Sequence, residues 1–572
     1  MDTAPLDEAI AALKADEWAK LDIGIKIGYL NRLLDNTAAQ AENWALTASR
    51  AKCIPVGSRY EGEEWISGPW ALIYALKGYI RTLTALRDTG KPPQIKTRQR
   101  DNGQLVVDVF PNNPYDYVLL SGIHAEVWMQ PEVNQRNLSK HMATFYQQRD
   151  PQGKIALVLG AGNINSIPPL DVLYKLIADG EVVICKLNPV NEYLGEFLEA
   201  IFAPMIEAGY VRFVYGGGDV GAYLTQHEAI ASIHITGSVH THDAIVFGSG
   251  KAGEKRKKQN KPLLDKPITS ELGAVCPTIV VPGDWSDADI QFQAEHIVTQ
   301  RFHNGGFNCV ASQVLILPES WNRAPDLLKA IERVIESVPA REAYYPGADQ
   351  RQQAAVDAHP DHAIKIDLPE FSKVPRTFIT QLDPNQTDDP AFNEEFFCGV
   401  LAQTSLPGNT PLEFLRNAVK FANDTLWGTL GANIIIHPRT MDQLGILLED
   451  CIADLRYGTV GVNAWTGAAY FITECMWGAF PGHTLDDVQS GIGSVHNTYL
   501  FDKPQKNVVY APFAPFPRSI LLRERHIALK TPTWFVTNHQ ANKIGKRFTY
   551  YEAERGSKIP HVLGLVATVL KG

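Results

Sequence analysis

An α/β chain is predicted: a doubly wound parallel sheet, then a second α/β unit. Three observations carry this. From residue 154, short apolar runs alternate with helical stretches: IALVL (155–159), VVICKL (182–187), VRFVY (211–215) and ASIHIT (231–236). Such alternation implies βαβ units and a parallel sheet. A second series follows a basic, polar stretch at 250–262, and at 572 residues the chain is too long for one simple core.

Residues 1–90 read as helical. Leu13, Trp18, Leu21, Ile25, Tyr29 and Leu33 recur at three- and four-residue steps and mark one apolar face. After strand 155–159 comes the loop GAGNINSI, then PPLDVLYKLIADG (168–180), a helix with Pro in its first turn and Gly180 at its end. Strand 182–187 leads to a helix over 191–208, strand 211–215, a glycine run, a short helix and strand 231–236. The second series has strand PTIVV (277–281), a helix near 286–302, the loop HNGGFNC and strand QVLIL (313–317). Strands near 430–436 and 459–463 flank a further helix. The last 70 residues open with strand-like NVVYAPF and end in an aromatic, basic tail that periodicity does not place.

Composition narrows the class. Hydrophobic residues are 45% and charged residues 20%, the proportions of a globular protein. Lys plus Arg is 53 against 63 acids, a net charge of −10, which argues against a nucleic-acid partner. Seven cysteines lie scattered at 53, 185, 276, 309, 398, 451 and 475 with no CxxC pair, so neither a disulfide framework nor a structural zinc site is expected. No His spacing suggests a metal centre. The first residues are acidic where a signal peptide needs a basic start, and no run of about 18 apolar residues occurs. The expectation is a reduced, cytoplasmic protein with no membrane-spanning segment.

Several motifs could carry chemistry. GGGDVG (216–221), containing Gly218 and Gly221, matches GxGxxG directly after a strand; glycines there let a pyrophosphate approach the backbone. GAGN (160–163) is an equally good Gly-rich turn, so this fingerprint does not choose between them. Cys309 lies in GGFNCVAS, a loop of small residues that can present a thiol; attack on a carbonyl needs the thiolate, hence a neighbouring base or dipole. Glu271 in TSELG and the pair Glu394–Glu395 sit beside turn residues, where a cap or solvated acid is the plain alternative. KAGEKRKKQNK (251–261) reads as an exposed loop, with phosphate steering as the alternative.

Taken in order, these pieces resemble the aldehyde dehydrogenase superfamily from about 155 to 495, and more faintly upstream to about 40. Asn163 and Lys186 are similar to the family's loop asparagine and strand-end lysine. Gly237–Ser238 after ASIHIT looks like the glycine–serine pair beneath the pyrophosphate. SELGAVCPTIV resembles the general-base segment, with Glu271 as base. GGFNCVASQVLIL resembles the nucleophile segment, with Cys309 in the nucleophile's place. EEFFCGV resembles the segment at the nicotinamide ribose, with Glu395 and Phe397 matching. NDTLWGTLGANI and SGIG (490–493) follow in the family's order.

The resemblance implies a Rossmann-like cofactor domain with N-terminal helices (1–270), a catalytic domain (271–495), and a C-terminal oligomerisation strand and extended tail (496–572), with part of a small oligomerisation element near 105–150. It implies oxidation of an aldehyde to the acid with NAD or NADP. Cys309 would form the thiohemiacetal and thioester, Asn163 and the Cys309 N–H would hold the oxyanion, and Glu271 would activate water. Lys186 and Glu395 would hold ribose hydroxyls, with Phe397 near the nicotinamide and Gly218, Gly221, Gly237 and Ser238 along the cofactor. Pro189 stands where NAD-preferring members often carry Glu, so NADP is admissible. The alternatives are a coenzyme A-acylating enzyme, which commonly lacks the glutamate base, and a non-catalytic nucleotide-binding relative. The aromatic stretch 463–480 suggests an apolar aliphatic or aromatic aldehyde as the small-molecule substrate. A homodimer or homotetramer is expected, with the tail (Phe513, Phe516, Trp534, Phe535; Arg518, Arg523, Arg525) contacting a neighbouring subunit.

Overall fold

A computed structural model describes residues 2–366, 376–524, 531–556 and 558–569; Arg525 lies outside them. The predicted helical N-terminus is present, but its apolar stripe is split. Asp22 accepts the Gly24 N–H (2.8 Å) and caps a new helix, Ile23–Ala51, after the short helix Ala15–Lys20. The long helix buries Leu30, Leu33, Leu34 and Trp44 and packs on helix Ala71–Thr89. Trp18 fastens this layer to the rest of the chain. Its Nε1 donates to Leu176 O (2.9 Å), and its ring meets Tyr210 at 4.9 Å.

Among the described residues, two large sheets organise the rest. The six-stranded sheet runs Gly491–Ile492, Ile268–Leu272, Ser232–Gly237, Ile155–Leu159, Val182–Lys186, Val211–Val214. All its pairings are parallel except that of Gly491–Ile492. Its strands read as continuous apolar runs because helices cover both faces. The chain enters at the centre with Ile155–Leu159, moves outward twice on one side, then crosses back to Ser232–Gly237. That reversal opens a crevice between the carboxyl ends of those two central strands, where open α/β sheets bind ligands. Helix Ile167–Tyr174 and a following π-turn end at Gly180, whose φ of 71° is the left-handed cap foreseen there.

The eleven-stranded sheet contains the predicted second series and more. Strands Thr97–Gln99, Leu105–Phe110 and His124–Met129 form an antiparallel extension. Strand Pro504–Tyr510 joins it to the parallel strands by pairing antiparallel with His124–Met129 and parallel with Thr459–Val462. The segments expected as an oligomerisation element therefore complete the second sheet of their own chain. Lys506 pins the junction. Its buried ammonium donates to Ile452 O (2.9 Å), Ala453 O (2.8 Å) and Leu455 O at the end of helix Ile446–Asp454, and burial brings its pKa down to about 7.

One expectation needs correction, and one segment gains a placement. The basic run is a helix, Gly250–Lys258, rather than a loop. Its cations cluster in the last turn, where the helix dipole favours them, and Lys257 pairs with Asp243 (2.7 Å). The tail, unreadable by periodicity, forms helices Ala541–Ala553 and Ile559–Val569. The first crosses helix Glu61–Trp65 of the same chain at two glycines. A Cβ on Gly62 would stand 2.4 Å from Ala541 O, and one on Gly545 3.0 Å from Gly62 O. No helix among the described residues is long and apolar enough to cross a membrane.

Lys506→Ala strips three carbonyls of their shared donor. At about 1–3 kcal/mol per orphaned buried group, we expect a loss of ~3 kcal/mol or more, read as a lower urea midpoint. An unchanged midpoint contradicts this account of the junction.

Candidate active site

Three chain segments converge between the sheets. Strand Ile268–Leu272 carries Glu271 near its carboxyl end, so this residue is in a strand and not merely beside a turn. The antiparallel partner of Glu271 is Gly491, and Ser490 Oγ donates to Gly273 O (2.9 Å), which is how SGIG reaches the site. Helix Asp287–Phe302 ends in a loop that carries Cys309 into strand Ser312–Pro318. That loop turns through three consecutive left-handed residues: Asn304 (φ 53°), Gly305 (68°) and Gly306 (84°). At Gly306 a side chain has no room, since a Cβ would lie 2.5 Å from Cys398 O. The third segment, 394–398, supplies Glu395 and Phe397; Phe397 packs on Phe307 at 5.7 Å and Tyr345 at 5.0 Å.

Cys309, Glu271 and Glu395 act on one another electrostatically. Burial, reinforced by the nearby Glu271 and Glu395 charges, pushes the Cys309 thiol well above its ordinary pKa. Burial raises Glu271 to about 8, although interaction with the Cys309 thiol pulls it back. Burial also brings Glu395 to about 8, against Arg301, Arg351 and the Ala274 N–H. One carboxyl oxygen of each acid, Oε1, is buried with no partner among the described residues. Groups shifted in this way in a shared cleft make it a candidate functional site. The other cysteines differ: Cys185, Cys276, Cys398, Cys451 and Cys475 are buried, and Cys53 is exposed.

Asn163 lies on the same loop system. Its side-chain Nδ2 donates one hydrogen to Phe307 O (2.9 Å), two residues before Cys309, leaving its second N–H for another acceptor. Its backbone carbonyl is held three ways: by Lys52 Nζ (3.0 Å), the Tyr344 hydroxyl (3.0 Å) and Asn304 Nδ2 (3.2 Å). Lys52 is fully enclosed and ion-paired with Glu64 (2.9 Å). Burial lowers its pKa, while Glu64 works in the opposite direction. Glu64 also accepts from Asn165 Nδ2 (2.7 Å). Next to it, Glu63 accepts from the Asn304 N–H (3.1 Å) and pairs with Arg341. Burial opposes the Glu63 charge, but Arg341 and His303 outweigh it and hold the carboxyl below its usual range. Lys52, Glu63, Glu64 and Asn304 escaped sequence reasoning. Their partners lie up to 278 positions away, and AKCIP and GEEW carry no spacing signal.

Lys186, Gly218, Gly221, Gly237 and Ser238 are not beside the thiol. They lie at the carboxyl ends of the six-stranded sheet or in the turns and helices that follow. Ser238 caps helix Val239–Phe247, its Oγ accepting from the Thr241 N–H (3.2 Å). Gly218 opens helix Gly218–Gln226 and has nothing within 4 Å of where a Cβ would be. Burial lowers the Lys186 pKa, with Glu192 opposing. Glu192 was also missed. Three residues beyond Pro189, it turns back so that its Oε1 accepts the Gly216 N–H (3.0 Å). The His/Asp/Glu grouping Asp108, His124 and Glu126 lies elsewhere, on the antiparallel extension, and its carboxylates are already engaged by Lys96 and Arg98.

Comparison with known proteins supports the fold. Residues 123–362 match the model of the aldehyde dehydrogenase family. Solved structures share the fold over nearly the whole chain. An NAD-dependent aldehyde dehydrogenase from Sinorhizobium meliloti is 16% identical, with 90% of this chain and 88% of that one covered and a TM-score of 0.58. An aldehyde dehydrogenase C variant from Pseudomonas syringae, in complex with NAD+ and octanal, is 18% identical, with 90% of each chain covered and a TM-score of 0.58. An NADP-dependent glyceraldehyde-3-phosphate dehydrogenase from Bacillus halodurans, complexed with NADP, is 18% identical, with 89% and 91% covered and a TM-score of 0.58. Over those residues the chain matches the aldehyde dehydrogenase family, and it shares its fold with solved enzymes of that name.

Lys52→Met strands a buried Glu64 charge. We expect a loss of about 3–5 kcal/mol in chemical denaturation, with part of it recovered when Glu64→Gln is added. Equal stability of Lys52→Met and the parent protein contradicts the role given to this pair.

Proposed function

We infer that the chain is an NAD(P)-dependent aldehyde dehydrogenase that oxidises an aldehyde to its carboxylic acid through a thiohemiacetal and a thioester on Cys309. The observation that carries this reading is that the Cys309 thiol and the Glu271 carboxyl are enclosed together, close enough for each to act on the other's ionisation. In its carboxylate form Glu271 takes the thiol proton, and the thiolate attacks the aldehyde carbon. The alkoxide that develops is met by the second Asn163 N–H and by the Cys309 backbone N–H. One such donor is worth ~3 kcal/mol at the transition state. Asn163 is preorganised for this because its carbonyl and one amide hydrogen are already tied down. Once the thioester has formed, Glu271 gives the thiol proton up to solvent; it then takes a proton from water as the water adds and passes it to the departing Cys309 sulfur, so the thiol is restored.

The residues present fit a dinucleotide. The central crevice, the first turn of helix Gly218–Gln226, Gly237 and the capping Ser238 suit a pyrophosphate. Lys186 and the unpartnered Oε1 of Glu395 suit ribose hydroxyls. When bound, NAD or NADP supplies the hydride acceptor. Glu192 weighs toward NAD: its carboxylate stands beside Lys186, and a second negative charge there repels a 2′-phosphate. The coenzyme A-acylating alternative is disfavoured by the same Glu271, because a base poised beside the thioester promotes hydrolysis.

Cys309→Ala abolishes reduced-nicotinamide formation with every aldehyde, and turnover in the parent protein needs no coenzyme A; strict dependence on coenzyme A would move the assignment to the acylating class. Glu271 is raised to about 8 and acts as the base, so kcat should rise with pH and level off above that value. In Glu271→Gln this limb should disappear; its persistence would assign the ionisation to another group. Glu192→Gln should raise the NADP-to-NAD ratio of kcat/KM by about tenfold, the effect of ~1.4 kcal/mol. An unchanged ratio removes Glu192 from cofactor choice.

A further inference from the structure

Helix Ile559–Val569 reverses the usual pattern of a surface helix. Its sequence, IPHVLGLVATV, carries no Asp, Glu, Lys or Arg. One side packs inward: Leu565 and Val569 are buried in the same core cluster as Phe548 and Tyr551 of helix Ala541–Ala553. The opposite side meets solvent. Ile559 is 61%, Leu563 68% and Val566 37% exposed, and Pro560 and Ala567 are exposed as well. At 3.6 residues per turn these five positions form one unbroken arc of roughly 120°, and every one is apolar. Apolar residues exposed singly are ordinary, whereas a continuous stripe of them marks an interaction surface.

Cations frame this stripe. Lys558 precedes it, with its Nζ over the rings of Tyr551 (4.1 Å) and Tyr115 (6.0 Å), and Tyr115 is itself exposed. Arg547, exposed on the neighbouring helix, lies across Gly564, where a Cβ would meet its guanidinium. The nearest acids in sequence, Glu552 and Glu554, are engaged: Glu552 by Lys77 (3.0 Å) and Lys558 (3.8 Å), Glu554 by His561 (3.7 Å). Lys546 and Arg555 turn to the long helix Ile23–Ala51, pairing with Glu42 and Asp35. The sequence of the tail repeats the bias. Residues 511–572 hold ten Lys and Arg against three Glu, in a chain whose net charge is −10. Basic charge is thus gathered at the end that bears the apolar stripe.

A second copy of the chain, the partner first expected for the tail, would set one basic tail against another. A specific protein partner calls for hydrogen-bonding groups, about one per 100–200 Å² of interface, and the stripe offers no polar side chain. A lipid surface needs none, and anionic headgroups complement the cations. We propose that helix Ile559–Val569 docks on an anionic lipid surface. The stripe enters the boundary between headgroups and acyl chains, Arg547 and Lys558 stand beside the headgroup phosphates, and Tyr115 adds an amphipathic ring at that level. The 11 residues are about half of what a spanning helix needs, so the helix lies on the surface.

The test is flotation of the full chain with two kinds of vesicle: phosphatidylcholine alone, and phosphatidylcholine with phosphatidylglycerol in equal parts. The parent protein should float with the anionic vesicles, bind the neutral ones at least about tenfold more weakly, and come off the anionic ones as salt is raised. Leu563→Gln should weaken binding to anionic vesicles about tenfold, and Ile559→Gln added to it should weaken binding about tenfold again. Both side chains are exposed, so the urea midpoint of these variants should match the parent's. Arg547→Gln, which leaves the stripe intact, should weaken anionic binding about fivefold. Flotation needs no turnover, so its outcome is separate from that of the dehydrogenase reading. Failure of the parent protein to float with either vesicle overturns the proposal, and so does flotation that the glutamine variants leave unchanged. If the parent ignores vesicles and Leu563→Gln instead dissociates an oligomer in sedimentation velocity, the stripe is covered by a second copy and the lipid surface is ruled out.

Discussion

The arrangement rests on a buried ion pair. Lys52 and Glu64 sit with essentially no solvent contact, and the lysine spends its remaining hydrogens on Asn163 O and Asn304 Oδ1. Asn304 is the first residue of the left-handed turn that presents Cys309. One ammonium thus joins the loop after the first strand of one sheet to the loop before a strand of the other. Two charges out of water are costly, and such a pair persists only where its other hydrogen-bonding groups are also satisfied. Here they are: Asn165 covers the second Glu64 oxygen, and the single Tyr344 hydroxyl hydrogen is shared between Asn163 O and Asn304 Oδ1. Relative placement of two loops from different sheets is therefore set by geometry that tolerates little slippage, as catalysis by positioned groups requires.

The same enclosure sets the chemistry. Glu271 and Glu395 share a poorly solvated region with a thiol, and each is less acidic there than in water. A carboxyl near 8 is matched to proton transfer close to neutral pH, whereas an ordinary carboxylate would be too weak a base to deprotonate a thiol or water effectively. Under the proposed function, burial is what gives Glu271 its basicity near neutral pH.

Much of the fold was legible because parallel strands buried on both faces read as unbroken apolar runs. Val182–Lys186 and Val211–Val214 fall within a residue of where the sequence puts them. Glu271 and Cys309 were legible because each sits in a distinctive local string. The less legible features are those fixed by distant contacts. The stripe from Leu13 to Leu33 looks continuous until Asp22 is seen capping a second helix. The basic run reads as loop because its polarity masks helix formers stabilised by a favourable dipole. Lys52 has no local sign of its role, since its acceptors lie 12, 111 and 252 residues away. Glu192 was hidden by one turn of 3₁₀ helix, Pro189–Leu194, which displaces the acid along the sequence and returns it beside Lys186. The tail helix is placed by the paired glycines Gly62 and Gly545, a contact that no periodicity encodes.

In the proposed function Cys309 carries the acyl group and Glu271 brings the water that removes it. The most direct measurement is intact-protein mass spectrometry of Glu271→Gln after mixing with an aldehyde and NAD. On this account, Glu271→Gln should give one slow turnover of reduced nicotinamide, because the thiol ionises without its base, and then an acyl adduct on Cys309 that persists because hydrolysis is blocked. Steady turnover by that variant with no adduct on Cys309 would contradict it.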